Sequence, residues 1–99
     1  MQYDFEWDFG KARINKERHG VSFELAAGVF KDKEALSVFD DDHSAIEDRW
    51  ITMGVASSGA VLVVHHTFRE SNHDCARIRI ISSRKANKHE EQQYFSKSV

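Results

Sequence analysis

Between Cys75 and His89 the chain carries Arg77, Arg79, Arg84, Lys85 and Lys88, and no acidic residue. Arg77 and Arg79 are two apart, and on a strand such residues share a face. Arg84 and Lys85 stand where a strand gives way to a helix, and the free N–H groups of a helix start favour an anion. A guanidinium grips a phosphate through two parallel hydrogen bonds. Phosphodiester cleavage needs such cations, because negative charge grows on the equatorial oxygens in the transition state. RNA supplies its own nucleophile, the 2′-hydroxyl, so the protein need add only a general base and a general acid. Glu90, Tyr94, His65 and His66 are the titratable groups at hand. The competing reading is structural: Glu90 pairs with an arginine and Tyr94 packs on the core.

The histidines His19, His43, His65, His66, His73 and His89 raise metal binding as an alternative. No two of them show the His-x-x-x-His spacing of a helical metal site. A zinc site joining His65 to Cys75 across a hairpin is the arrangement left, and one cysteine cannot make a thiolate cluster. No metal and no cofactor is expected. Residues 40–42 are consecutive aspartates, followed by Glu47 and Asp48. They lack the glycine and terminal glutamate of a calcium loop and read as a solvated loop that cannot be buried.

The elements that must position these groups follow from caps and periodicity. Asp8 is an N-cap and Gly20 a left-handed C-terminal stop, which predicts a helix over Phe9–His19. Its apolar stripe is thin, while Lys11, Asn15 and His19 form one polar stripe at i, i+4, i+8, as at the edge of a site. Ser22 starts a second helix in which Phe23, Ala26, Ala27 and Phe30 share a face. Strands are expected over 35–39, 49–56, 61–69 and 76–83. Residues 70–74 read as a polar turn. A last helix over 85–97, capped by Ser82 or Ser83, aligns Ala86, Glu90 and Tyr94. The expected fold is α+β: two N-terminal helices, a four-stranded antiparallel sheet and a C-terminal helix, in the order ααββββα.

Composition bounds the answer. A chain of 99 residues makes one domain, residues 1–99, which buries roughly two-thirds of its unfolded surface. With 40% hydrophobic and 30% charged residues it reads as globular. Its longest apolar run, 60–64, excludes a membrane span. The acidic, aromatic start and the lone cysteine point to the cytoplasm. The net charge of −2 hides an asymmetry: −5 over residues 1–49 and +3 over 50–99.

Two separated motifs carry a family resemblance. Phe5-Glu6-Trp7-Asp8, Lys11, Asn15 and His19-Gly20-Val21-Ser22-Phe23-Glu24 resemble the opening signature of the BrnT toxins. Arg79-Ile80-Ile81-Ser82-Ser83-Arg84-Lys85-Ala86, with Glu90 and Tyr94, resembles the closing one. Asp40 and the Glu47-x-Arg49 step match the middle. Arg18, Leu25 and Ser83 depart from the family pattern, and Leu25 removes a capping box at Ser22.

The resemblance implies a RelE-like fold and the toxin of a type II toxin–antitoxin pair, a ribonuclease that stops translation. It implies a BrnA-like antitoxin with a ribbon-helix-helix DNA-binding domain, a hetero-oligomer, and contact with DNA only through that complex. On this basis Arg79 and Arg84 stabilise the phosphate, and Glu90 and Tyr94 transfer protons or orient the cations. Lys85, Arg77, Lys11 and His19 then bind RNA. The second reading is a non-catalytic module that holds the antitoxin as a co-repressor, its basic face being a protein interface.

Overall fold

The structure, a computed structural model, describes residues 1–96. The element order is β1 (Gln2–Glu6), α1 (Phe9–His19), α2 (Phe23–Ala27) running into a 3-10 turn (Gly28–Lys31), β2 (Leu36–Phe39), a second 3-10 turn (Asp41–His43), β3 (Arg49–Val55), β4 (Val61–Thr67), β5 (Arg69–Asn72), β6 (Cys75–Lys85) and α3 (Lys88–Ser96). Among these residues no helix is long and apolar enough to cross a membrane.

Helix α1 keeps the bounds that its caps dictate. The Asp8 carboxylate accepts from the Lys11 N–H at 2.8 Å, and Gly20 stops the helix at φ +70°. Ser22 caps α2, accepting from the Leu25 N–H at 3.1 Å. Regular helix ends there at Ala27, where the chain tightens into the 3-10 turn. That turn closes on β3 at Gly54, where a Cβ would come within 2.9 Å of Val29. Val21, Phe23, Ala26 and Val29 bury against Leu62, Val64, Ile78 and Ile80 on the inner face of the sheet.

The expected RelE-like ααββββα domain with a four-stranded antiparallel sheet is corrected by the sheet itself. Six strands form one mixed sheet in the order β1-β6-β4-β3-β2, with β5 also paired to β6. Residues 2–6 precede the helices as a strand and pair parallel with β6, Gln2 opposite Cys75 and Glu6 opposite Arg79. Residues read as a polar turn form β5, antiparallel to β6. Strand β6 runs on to Lys85, so α3 starts at Lys88 rather than 85, and its expected end at Lys97 lies outside the described residues. The helix cap is Asn87, not Ser82 or Ser83. The Glu90 N–H donates to its side chain at 2.8 Å, and the Asn87 N–H donates to Glu90 Oε1 at 2.9 Å, a reciprocal capping box.

Strand β6 is the axis of this arrangement. One edge pairs with β4 and β5; the other pairs with β1 only as far as Arg79. Beyond that point Asn15 of α1 takes over. Its Oδ1 accepts from the Ser83 N–H at 3.1 Å, and its Nδ2 donates to the Ser83 carbonyl at 2.8 Å and to the Val21 carbonyl at 3.1 Å. Asn15 is buried, so it is a strand surrogate in the core rather than part of a polar stripe at the edge of a site. Asn15→Ala leaves three buried backbone groups without partners. It should lower unfolding free energy by about 3 kcal/mol in urea titrations, with Asn15→Asp, which keeps only an acceptor, nearly as damaging. A loss below about 0.5 kcal/mol would contradict the surrogate role.

Candidate active site

Arg79 and Arg84 are five residues apart, a spacing that on a regular strand sends side chains to opposite faces. A bulge reverses this. His65 faces Ser82 while His66 faces Ile80, so Ile81 is an extra residue in β6. The shift in parity sets Arg77, Arg79, Ser82 and Arg84 all on the outer face of the sheet. The registers with β4 and β3 add Thr67, His65 and Val63, then Arg49, Ile51 and Met53, to the same face. His65 is central, between the rows that hold Arg79 and Arg84.

Each of these arginines is held by a carboxylate. Arg84 makes a two-pronged bond to Glu90, Nη1 to Oε1 at 2.7 Å and Nη2 to Oε2 at 2.8 Å. The Arg84 bonds hold the Glu90 carboxyl down to about 2, with the Asn87 N–H helping and burial opposing. A carboxylate so acidic is a poor proton carrier near neutral pH, and its position makes it the clamp that aims Arg84. Arg79 donates through Nη2 to Glu47 Oε1, and Arg49 Nη2 approaches the same oxygen at 3.4 Å. Arg49 Nε is buried without a hydrogen-bond partner among the described residues.

The imidazoles differ in setting. His65 is half-buried, and burial lowers its pKa below 6.5. Asp40 and Glu90 oppose that shift, while Arg84 and His43 add to it. His43 is exposed, and its Nδ1 meets Asp40 Oδ2 at 2.9 Å. Asp40 itself is buried, against the expectation of a wholly solvated acidic loop. Its backbone explains this: the N–H donates to the Arg49 carbonyl at 2.8 Å, and the carbonyl accepts from the Ser44 hydroxyl at 2.6 Å. The Asp40/His43 pairing is absent from the sequence reading, whereas Asp40 and the Glu47-x-Arg49 step enter it only through the family resemblance. The signal available was the Asp-x-x-His spacing within the acidic run.

The other expected site residues lie at the margin or apart. Lys11 and His19 line a shallow groove between α1 and β6 that includes Ser82, on the far side of β6 from His65. Arg77 lines a cleft of about 690 Å³ with Arg69 and Arg79, among the carboxylates Glu6, Glu47, Asp48 and Glu70. Lys85 is exposed at the end of β6. Tyr94 is set apart: its hydroxyl donates to Asp32 Oδ2, which also accepts from the Val55 N–H at 2.8 Å. Burial, then Asp32, pushes its pKa up to about 12. Glu90, bonded to Arg84 of β6, and Tyr94, bonded to Asp32, thus pin α3 at two points. Cys75 pairs with Gln2 at the opposite end of β6 from Ser82, so it does not join His65.

The Glu90 clamp has a pH consequence. A carboxyl at about 2 when folded and 4.5 as its reference adds stability that is complete above 4.5 and is lost as pH falls toward 2. Wild-type protein should therefore lose more stability than Glu90→Gln between those pH values in acid titrations followed by circular dichroism. Parallel curves would contradict the clamp.

Comparison with known proteins bears on the family and the fold. The model of a family described as the ribonuclease toxin BrnT of type II toxin–antitoxin systems matches residues 7–90. The crystal structure of the Brucella abortus ribonuclease toxin BrnT is similar, with a TM-score of 0.62 at 19% identity. The alignment covers 89% of this chain and 100% of that one. Among curated proteins none matches.

Proposed function

We propose, from the premise that this chain belongs to the BrnT family of ribonuclease toxins of type II toxin–antitoxin systems, that it cuts RNA on the outer face of its sheet without a metal. The observation that carries this reading is the convergence of Arg79, Arg84 and His65 on one face. His65, kept neutral above its lowered pKa, takes the proton of the 2′-hydroxyl. The 2′-oxygen attacks phosphorus, a 2′,3′-cyclic phosphate forms, and the bond to the 5′-oxygen breaks. His43, oriented by Asp40, returns a proton to that leaving oxygen. Arg79 and Arg84, aimed by Glu47 and Glu90, stabilise the charge on the equatorial oxygens. Lys11, His19, Arg77 and Lys85 bind flanking phosphates. Tyr94 serves the site by anchoring α3, and so by positioning Glu90.

The toxin acts in the cytoplasm, stops translation by cutting RNA, and is neutralised by a BrnA-like antitoxin with a ribbon-helix-helix DNA-binding domain. Family membership supports the existence of an antitoxin. The co-repressor reading has one observation in its favour: edge strand β2 exposes Leu36, Val38 and Phe39, an apolar surface that a partner chain can cover.

The two readings separate on purified protein. A folded Arg79→Ala/Arg84→Ala variant should lose about 100-fold or more in the rate of RNA cleavage. His65→Ala should lose a similar factor, about 100-fold. The wild-type rate should fall as pH drops through the His65 pKa below 6.5, since the protonated ring cannot act as base. Undiminished cleavage by the folded double variant would overturn the assignment. Tight antitoxin binding by a wild-type chain that neither binds nor cuts RNA would favour the co-repressor.

A further inference from the structure

The inner face of the sheet is not wholly covered by helices. Where α1 and α2 leave it, a cavity of about 210 Å³ opens between β1 and β3. Its walls are Tyr3, Phe30, Trp50 and Phe68, and Ser37, Thr52 and His66 bring polar atoms to it. An apolar cavity of roughly 150 Å³ takes benzene, so this one has room for a heterocyclic ring. No carboxylate, lysine or arginine lines it, so its ligand is neutral.

The polarity of its hydroxyl can be worked out. His66 Nδ1 meets the Thr67 carbonyl at 2.9 Å, and a carbonyl only accepts, so Nδ1 carries the proton. Burial lowers the His66 pKa and keeps the ring neutral, so Nε2 is an acceptor. The Thr52 hydroxyl at 2.7 Å must therefore donate to it. Thr52 Oγ1 then accepts from the Ser37 hydroxyl at 2.8 Å. With that proton committed inward, Ser37 Oγ presents lone pairs to the cavity. The complementary ligand is a planar, uncharged ring with an N–H donor on its edge.

Phe68 links this cavity to the RNA-cutting face. It lines the aromatic cavity on one side and the cleft of Arg69, Arg77 and Arg79 on the other. A strand of RNA with a phosphate in that cleft can turn a neighbouring base around Phe68. We propose that the aromatic cavity is a nucleobase subsite, which stacks one base of the substrate against Trp50 and Phe30 and reads an N–H of its edge at Ser37. Stacking of unpaired bases on aromatic side chains is a general mode of single-strand recognition. This inference rests on the ribonuclease reading.

The test titrates the wild-type protein with each of the four nucleosides, following the two tryptophan indole N–H signals by NMR. A Trp50→Phe variant assigns them, and Trp7, packed on Phe23 in the core, is the internal control. The Trp50 signal should shift and saturate at about millimolar nucleoside while Trp7 stays still. Raising NaCl from about 50 mM to about 500 mM should change nothing, because no phosphate is engaged. Ribose 5-phosphate should give no shift. Ser37→Leu, at an exposed edge-strand position, should abolish the shift. It should also raise KM for RNA about tenfold with kcat little changed. Nucleoside binding without RNA cleavage by wild type would remove the ribonuclease reading and leave the pocket. Cleavage by wild type with no Trp50 shift, and with KM unmoved in folded Ser37→Leu, would overturn the pocket alone. A shift produced equally by N-acetyl-leucinamide would overturn it too, in favour of a protein side-chain hole.

Discussion

Strand β6 has more backbone hydrogen-bonding groups along one edge than β1 can answer, and a single buried amide makes up the difference. Asn15 supplies Ser83 with both an acceptor and a donor and ties Val21 into the same knot. This joins α1, the turn into α2 and the far half of β6 at one point. A strand so held at both edges can carry a bulge without fraying. The bulge at Ile81 is what places Arg79 and Arg84 on a common face. The candidate site is therefore a consequence of backbone pairing on the opposite side of the sheet.

The charge asymmetry of the chain acquires a meaning in the fold. The acidic first half and basic second half do not make two separate fields. Asp40 and Glu47, from the first half, reach the face that the basic strand presents. Glu90, the acid that follows the basic run, grips Arg84 from α3. The arginines are oriented rather than loosely solvated, and each retains donors beyond those its carboxylate engages. On the proposed reading, a phosphate would meet guanidinium groups already aimed, which spares the reorganisation that flexible cations would require.

How far the sequence foretold this depends on how local each signal is. Caps at Asp8, Gly20 and Ser22 act within four residues, and α1 has the bounds they imply. The strand alternation of Gln2–Glu6 is only five residues long, and its parallel partner lies some seventy residues away, so nothing local announces the pairing. The fold departs from the expected class for that reason and because β5 is short and polar. Arg79 and Arg84 stand out by type and spacing, yet the bulge that brings them to one face is a matter of register between strands. Asn15 on a helix reads as part of a polar stripe at the edge of a site until the open edge of β6 is placed against it. Asp40 within three aspartates reads as solvated until its backbone is seen paired to Arg49 and Ser44. The family signature covered both halves of the site, because a motif records the tertiary contacts that periodicity leaves out.

The central claim is that this face cuts RNA through the substrate's own 2′-hydroxyl. The direct measurement is the chemistry of the ends produced by purified protein in excess EDTA, read by mass spectrometry. The expected ends are 2′,3′-cyclic phosphate, or the 3′-phosphate from its opening, paired with 5′-hydroxyl. Fragments ending in 3′-hydroxyl and 5′-phosphate, or cleavage abolished by EDTA, would contradict it.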